Sequence, residues 1–510
     1  MVFETILDKI YDLYIALTDG FTNTSTLLYI ILIPLLGAIV VLFTPRANEK
    51  LIHDIGLFTT LFTFVLSIFL WIQFDKLTTT FQFVNKLTWL PFLNIDIYLG
   101  IDGISLFLII LTTLLIPICI LISRNSVQRF VKEYVFCFLI LEVLLVLVFS
   151  VLDLILFYIF FESILIPMFI MIGVWGARER KIGAAYQFFL YTLLGSVFFL
   201  LGILAIYFET GTSDLHILLT TEFPFDRQIL LWLAFFASFA VKVPMVPVHT
   251  WLPEAHVEAP TAGSVLLAGV LLKLGGYGFL RFSIPMFPEA SVFFSPLIYV
   301  MSVIAVIYAS LTTLRQIDLK KIIAYSSVAH MAFVTLGMFT FNVQAIEGSI
   351  YLMLAHGVVS SALFMCIGVL YDRHHTRTLK YYSGMSQVMP IFMTIFLIFS
   401  LANLSMPLTA NFIGEFLVLV GLFQTNKMIT FLASTGMVLG AAYSIWLWNR
   451  IACGNLKIYF IQSFADVNHR EIIMFSPLLF LTFFMGIYPE VFLDTMHISV
   501  KNLIASNIAF

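Results

Sequence analysis

The chain alternates between long apolar runs and short polar connections. A helix that crosses the ~30 Å hydrocarbon core of a membrane needs roughly 20 mostly apolar residues, because lipid offers no partners for backbone N–H and C=O groups. The runs predict about fourteen membrane-spanning helices, near 25–44, 53–74, 102–123, 133–150, 152–175, 185–208, 228–247, 260–281, 294–312, 321–340, 345–370, 387–425, 428–449 and 472–492. The run at 387–425 is interrupted, and two short helices in its place would make the number about fifteen.

The composition adds weight to this interpretation. Of the 510 residues, 61% are hydrophobic and 11% are charged, whereas charged residues make up roughly 25% of a soluble globular protein. A soluble domain is therefore excluded. The N-terminal segment 1–23 is too acidic for a transit peptide and lacks the design of a signal peptide, so we expect it to be mature protein.

The sequence lacks the motifs of cofactor-binding proteins. The four cysteines are scattered without C-x-x-C spacing, so neither an iron–sulfur cluster nor a zinc site is predicted. No G-x-G-x-x-G follows a strand pattern and no phosphate-binding G-x-x-x-x-G-K-[ST] occurs, so binding of NADH or ATP is not expected. We expect this chain to carry no cofactor of its own.

Lysine and arginine are concentrated in the connections that follow odd-numbered spans. By the positive-inside rule these connections face the mitochondrial matrix or the cytoplasm, and both termini lie on the opposite side. Arg281 is assigned to one of the opposite connections. The connection 249–258 breaks the pattern, because it carries Glu254 and Glu258, and we expect it to fold back into the protein.

Seven titratable residues lie inside the predicted spans. A charged group at the centre of a membrane helix costs at least ~2.5 kcal/mol on insertion scales, so such a residue pairs, contacts water or has a function. A lone histidine could simply hold two helices together by a hydrogen bond. Lysines and glutamates in one bundle favour function. The seven are Glu142, Glu162, Lys242, Lys273, His330, His356 and Glu415.

Two of the spans carry prolines next to a titratable residue. Pro244 and Pro247 follow Lys242 closely, and each removes a backbone donor and clashes with the preceding turn. Pro407 interrupts the span that contains Glu415 in the same way. Broken helices mark ion sites in transporters, because the break frees backbone carbonyls. Two such spans, far apart in the chain, suggest two related half-bundles.

The buried groups suggest a charge switch. Burial disfavours the charged forms of lysine and glutamate, and an opposite charge nearby restores them. A pair formed by Glu162 and Lys242 would therefore gain or lose a proton as the partners approach or separate. A proton path would continue through Lys273, His330 and His356 to Glu415.

Several long motifs resemble one membrane protein family. The stretch 240–264, which contains V-K-V-P-M-V-P-V-H-T-W-L-P-E-A-H, and the stretch 271–282 are similar to the proton-pumping membrane subunits of respiratory complex I and to Mrp-type cation/proton antiporters. The stretches 158–168, 316–331 and 411–416 extend the likeness, which covers roughly residues 95–425.

This resemblance implies roles for the buried residues. Glu162, Lys242 and Lys273 match the family's proton-transferring residues, and His330 and His356 match groups on its central axis. Glu415 matches the residue of the second broken helix. A glutamate there is typical of one branch of the family, whereas the related subunits 2 and 5 usually carry lysine. The family pattern has Pro-Gly where this chain has Pro407-Leu408, so this hinge is expected to be stiffer.

The resemblance also implies an architecture and partners. It implies an all-α polytopic membrane protein with two inverted five-helix half-bundles, in which the seventh and twelfth helices are discontinuous. The implied units are N-terminal helices in 1–130, half-bundles in 131–285 and 290–450, and a C-terminal helix and tail in 451–510.

The implied function is a proton channel coupled to electron transfer from NADH to ubiquinone elsewhere in the complex. NAD, FMN, iron–sulfur clusters and ubiquinone are expected in partner subunits. Subunits 2 and 5 and phospholipids are the expected partners, and nucleic acid is not. The implied location is the inner mitochondrial membrane or, alternatively, a bacterial plasma membrane.

Two other functions remain open at this point. A sodium/proton antiporter subunit would exchange ions without NADH, and a structural scaffold would leave both broken helices unexplained. Glu142 belongs to no motif and could pair within the membrane or contact water. Asp102 is expected to cap a helix. The basic run 371–380 is expected to be a charged connection that could contact anionic lipid headgroups.

Overall fold

The computed structural model describes residues 26–457 and 465–508, and the N-terminal segment 1–23 lies outside this part of the chain. Twelve helices in the described part are long and apolar enough to cross a membrane. Two pairs of shorter helices complete the predicted fourteen spans. The all-α polytopic fold is thus confirmed, and the apolar runs are helical because a helix satisfies its backbone hydrogen bonds internally.

The twelve long helices follow the predicted spans closely. They are α1 (Thr26–Phe43), α2 (Glu49–Gln73), α3 (Gly103–Ser126), α4 (Val131–Ser150), α5 (Leu154–Trp175), α6 (Lys181–Thr210), α10 (Thr261–Met286), α11 (Pro288–Arg315), α12 (Leu319–Met338), α13 (Val343–His374), α16 (Lys427–Ala452) and α17 (His469–Ile487). The remaining helices are α7 (Leu215–Leu218), α8 (Phe225–Lys242), α9 (Trp251–Glu258), α14 (Pro390–Asn403), α15 (Ala410–Thr425) and α18 (Glu490–Ile508).

The core of the bundle lies around α10 and α13. The most apolar windows of both helices are wholly buried, whereas those of α2, α16 and α17 are largely exposed. Helices at the rim present Phe, Leu and Ile side chains outwards, as expected for a surface that faces lipid. Titratable residues on α10 and α13 are therefore shielded from lipid by other helices.

Both spans that carry a proline next to a predicted titratable site are broken, as the sequence predicts. The first consists of α8 and α9, and the second of α14 and α15. The predicted span 228–247 is too short, because the connection 249–258 returns as the buried helix α9 and forms the second half of the broken span. The prediction that this connection folds back into the protein is confirmed.

A β-hairpin joins α2 to α3, where the sequence analysis placed only a connection. β1 (Gln82–Leu90) pairs antiparallel with β2 (Ile95–Ile101), and Asn94 takes the left-handed conformation in the turn. Lys86 lies 3.2 Å from Asp96 across the hairpin, and hydrogen bonding to Asp96 raises the pKa of the Lys86 ammonium. The C-terminal tail likewise forms a helix, α18, that packs on α13 and α3.

Candidate proton-transfer axis

Lys273 and His356 form the centre of the bundle. Lys273 lies on α10 directly after a π-helical turn, Leu267–Leu271, a local widening that is frequent at functional sites. Its ammonium donates to the carbonyl oxygen of Ala268 at 2.6 Å and lies 2.9 Å from His356 Nδ1. Both side chains are at most 1% exposed. The lysine nitrogen and the histidine ring nitrogen are therefore close enough to share a proton.

His330 and Glu415 form a second buried contact beside the first. His330 Nδ1 lies 2.7 Å from Glu415 Oε1, and Nε2 lies 3.1 Å from Asn403 Oδ1. Both ring nitrogens thus lie within hydrogen-bonding distance of a polar side-chain oxygen. The ring centroids of His330 and His356 are 5.8 Å apart, and His356 Nε2 has no hydrogen-bond partner.

These contacts bring four of the predicted residues into one buried line. Lys273 contacts His356, the His356 ring faces the His330 ring, and the latter contacts Glu415. The predicted path named His330 before His356, but in the structure His356 contacts Lys273 and His330 contacts Glu415, so the two histidines stand in the reverse order. Only the step between the two rings lacks a direct hydrogen bond.

Glu162 and Lys242 lie near each other without touching. The two groups are within electrostatic reach, but within the described chain no ion pair joins them. The Lys242 ammonium instead lies 4.4 Å from the centre of the Phe161 ring, and Glu162 Oε1 has no hydrogen-bond partner. Glu162 and Lys242 are therefore separated, and the Lys242 side chain makes a cation–π contact with the Phe161 ring instead.

The backbone carbonyls that the break after Lys242 frees accept hydrogen bonds from other groups of the protein. Met245 N–H donates to the carbonyl of Ala240 at 2.9 Å, and Trp251 Nε1 donates to that of Val241 at 2.9 Å. We expected the freed carbonyls to bind water or a cation, but the carbonyls of Ala240 and Val241 already accept hydrogen bonds from the protein. The break therefore ends α8 at Lys242.

The second break repeats this design. Met406 N–H donates to the carbonyl of Leu401 at 3.1 Å, again five residues back, and Pro407 follows. Asn403 ends α14 as Lys242 ends α8, and it contacts His330. The shared backbone device supports two related half-bundles.

Glycines allow close backbone approach beside both titratable sites. A Cβ on Gly275, two residues after Lys273, would lie 2.8 Å from the carbonyl oxygen of Phe239. A Cβ on Gly414, next to Glu415, would lie 2.8 Å from the Cα of Leu352. Any larger residue at either position would force the neighbouring helices apart.

A buried ion pair escaped the sequence analysis. Arg281 was assigned to a connection, but it lies on α10 and is 7% exposed. Its guanidinium donates to both carboxylate oxygens of Asp102 at 2.8 and 2.6 Å and to Tyr277 Oη at 3.0 Å. Asp102 also caps α3, as predicted. Asp102 and Arg281 are 179 residues apart in the chain, so no local sequence pattern indicates that they form a pair.

Other buried polar groups were missed because they lie near predicted connections. His256 on α9 is fully buried, neither ring nitrogen has a hydrogen-bond partner, and its ring stacks 4.5 Å from that of Phe364. Lys320 is 3% exposed and donates to the carbonyl of Ala259 at 2.7 Å. Both lie on the side of the axis where the basic connections gather.

Glu142 lies away from the axis. It is fully buried, Thr63 Oγ1 donates to its Oε1 at 2.5 Å, and Oε2 has no partner. With no cation in contact, a buried carboxylate would be costly, so the side chain is held as the neutral acid. Among the described residues no cation forms an ion pair with Glu142, so the geometry does not favour pairing within the membrane.

Known proteins resemble the chain over nearly its whole length. A family model described as "NADH-ubiquinone oxidoreductase chain 4, amino terminus" matches residues 27–150. A second, described as "NADH:quinone oxidoreductase/Mrp antiporter, TM", matches residues 151–487. Together they cover the N-terminal helices and both broken spans.

Curated relatives agree with the family models. Proteins named NADH-ubiquinone oxidoreductase chain 4 from Marchantia polymorpha and Arabidopsis thaliana are 65% and 66% identical to this chain. The alignments cover 94% and 93% of this chain and 97% and 96% of those relatives. A chain in a structure of respiratory complex I from Thermus thermophilus with bound NADH superimposes with a TM-score of 0.85 at 27% identity, covering 94% of this chain and 99% of that one.

Proposed function

Because the chain belongs to the chain 4 family of NADH-ubiquinone oxidoreductase and is a core membrane subunit of that proton-pumping enzyme, we propose that its own part is proton transfer along the buried axis. It is a multi-pass protein of the inner mitochondrial membrane. The identities of the relatives favour this function over that of an Mrp-type sodium/proton antiporter subunit. The axis consists of Glu162, Lys242, Lys273, His356, His330 and Glu415.

The contact between Lys273 and His356 carries this proposal. An ammonium that donates to a neutral imidazole at 2.9 Å can pass its proton along that hydrogen bond without further movement. The proton then lies 5.8 Å, ring to ring, from a histidine that contacts a carboxylate. A rotation of the His356 ring or one water molecule completes this step.

Glu162 and Lys242 would supply the switch. In the present arrangement the Lys242 ammonium faces an aromatic ring and the Glu162 carboxylate is separate from it. Closing the pair would bring opposite charges together, and at 4 Å with an effective dielectric constant near 20 the attraction is about 4 kcal/mol. Such a change holds a proton on the lysine, and its reversal releases one towards Lys273.

The remaining parts of the reaction belong to other chains. We propose that NAD, FMN, iron–sulfur clusters and ubiquinone bind partner subunits, and that the homologues of subunits 2 and 5 are membrane neighbours. Among the described residues, no three His, Cys, Asp or Glu side chains are placed to hold a metal ion. Phospholipids are expected to surround the outer surface of the bundle. No contact with nucleic acid is proposed.

Replacing Lys242 by Met tests the proposed role directly. The variant complex is reconstituted in vesicles, and NADH oxidation and proton uptake are measured together. Proton uptake per electron should fall, because the switch lacks its proton carrier. The exposed Lys76, replaced by Met, serves as the control. Undiminished proton uptake in the Lys242 variant would refute the proposed switch.

A further inference from the structure

The connection between α14 and α15, residues 404–409, contains two residues in an unfavourable backbone conformation. Ser405 has a φ of +62° and Leu408 a φ of +74°, which is the left-handed region that favours glycine. The Leu408 side chain is 63% exposed, so its burial does not compensate for this conformation. The connection is therefore strained at both positions.

Helix α17 holds this connection in place. Gly486 of α17 lies so close to Leu408 that an added Cβ would overlap the Leu408 carbonyl group. Met406 N–H donates to the carbonyl of Leu401 at 3.1 Å, and Thr409 N–H donates to that of Met406 at 3.1 Å. Packing and these two hydrogen bonds thus maintain a backbone that the residues themselves disfavour. Strain of this kind is concentrated at functional sites and switch regions.

Three polar atoms beside the strained connection are buried without a partner. Asn411 is fully buried, and neither its Oδ1 nor its Nδ2 has a hydrogen-bond partner among the described residues. The same is true of the buried Ser405 hydroxyl. A buried amide without a hydrogen bond is costly, because it has given up water and gained nothing in exchange. Most buried amides are satisfied, so this one calls for a physical explanation.

Glu415 is a candidate partner for the Asn411 amide. The two residues lie four positions apart on α15, and side chains at this spacing share one face of a helix and can form a hydrogen bond. Glu415 instead contacts His330, with 2.7 Å between Oε1 and Nδ1. The amide is therefore without a partner while the carboxylate one turn away is engaged by the histidine.

The buried amide on the other side of the connection has its partner. Asn403 is the last residue of α14, and its Oδ1 lies 3.1 Å from His330 Nε2. One asparagine thus contacts the histidine from α14, and the other lies one turn from the carboxylate on α15. A movement of the connection would shift α14 relative to α15 and change which of these contacts form.

We propose that Asn411 is an alternative partner of Glu415 and that the strain in the connection 404–409 favours the exchange. In the other arrangement the connection relaxes, the Asn411 amide donates to the Glu415 carboxylate, and His330 is released to take a proton from His356. Asn411 is then a positioning residue, since it holds the carboxylate and transfers no proton itself. This inference rests on the proposed function and adds a residue and a hinge to it.

Replacing Asn411 by Leu separates this role from a structural one. Leu has a similar size and needs no hydrogen bond, so the variant complex should unfold at an unchanged or higher temperature. Proton uptake per NADH oxidised, measured in vesicles, should fall about fivefold, which is the usual effect of one hydrogen bond on an equilibrium. Asn411→Gln and Asn411→Ser keep a hydrogen-bonding group, one longer and one shorter, and at least one of them should restore uptake.

Thr482→Val is the matched control for this substitution. It removes a buried hydroxyl whose hydrogen bond, to the carbonyl of Leu479 at 2.8 Å, stays within α17. Proton uptake should be unchanged in this variant. A loss of uptake confined to Asn411→Leu therefore reports on the amide and not on the removal of any buried polar group.

Two variants of Leu408 test the strain. Leu408→Ala removes the exposed side chain but keeps the Cβ that makes a φ of +74° unfavourable, whereas Leu408→Gly removes both. Gly should stabilise the present arrangement, in which Glu415 contacts His330, and should therefore lower proton uptake. Ala should resemble the wild type. Equal uptake by the two variants would overturn the proposal.

Lys242→Met is measured in the same vesicles, so that a failure of this inference can be told from a failure of the proposed function. If Lys242→Met loses uptake while Asn411→Leu retains it, this inference alone is overturned. If both variants retain uptake, the proposed function fails and the inference fails with it. A lower unfolding temperature for Asn411→Leu than for the control, or rescue by neither Gln nor Ser, would show a structural role and would also overturn the proposal.

Discussion

The two half-bundles share a backbone design but hold their charges differently. Each has a helix that ends at a polar residue, followed by a proline and an N–H that donates five residues back. In the first, Glu162 and Lys242 are separate. In the second, His330 and Glu415 are 2.7 Å apart. The same backbone design thus accommodates a separated pair in one half and a contacting pair in the other, and a two-state proton switch would alternate between such arrangements.

The largest effect is expected for Lys273, which links the two half-bundles through its contact with His356. Lys273→Met removes the group that contacts His356, so proton uptake should fall by at least about tenfold if the chain transfers protons as a general acid–base relay. Lys273→Arg keeps the charge but not the readily released proton, and it should fail as well. Proton uptake per NADH oxidised is the measurement. A working arginine variant would show that only charge is needed.

A smaller effect is expected when the contact between His330 and Glu415 is altered. Glu415→Gln keeps a hydrogen-bonding oxygen near His330 but removes the carboxylate, so His330 loses its contact with a proton-accepting group. Proton uptake should fall less than in the Lys273 variant, because the contact between Lys273 and His356 remains. If uptake does not change, the pair has no part in transfer.

The ion pair of Asp102 with Arg281 should affect stability more than pumping. Asp102→Asn leaves a buried guanidinium without its partner, which costs about 3–5 kcal/mol. Thermal unfolding of the complex should occur at lower temperature. The double variant Asp102→Asn/Arg281→Gln removes both charges and should recover much of the loss. A double variant as unstable as the single one would contradict this account.

The smallest effect is expected at Glu142. No cation in the described part of the chain contacts this side chain, so Glu142→Gln should lower the free energy of unfolding by only about 1 kcal/mol, the usual size for a point substitution. Proton uptake should be unchanged. A clear loss of uptake would place Glu142 on a second path, and the neutral-acid interpretation would then be wrong.

The fold could be predicted well because membrane helices leave a long apolar signal. The breaks after Lys242 and before Glu415 were also visible, since proline acts locally. The β-hairpin 82–101 was not visible, because its strands are short and partly polar between two strong spans.

The contacts between the site residues depend on tertiary structure and were therefore harder to predict from the sequence. The burial of Lys273, His330 and His356 could be predicted, but the order of the two histidines could not, and the separation of Glu162 from Lys242 depends on how α5 packs against α8. His256 was passed over because its segment has the composition of a connection. Pairings across the bundle leave no local pattern in the sequence.

The central claim is that one path runs through both half-bundles. Proton uptake per electron is measured for Lys242→Met, for Glu415→Gln and for the double variant, in the same vesicles. If the path is single, the double variant loses no more than the more damaging single variant. Losses that add would show two independent paths and contradict the account.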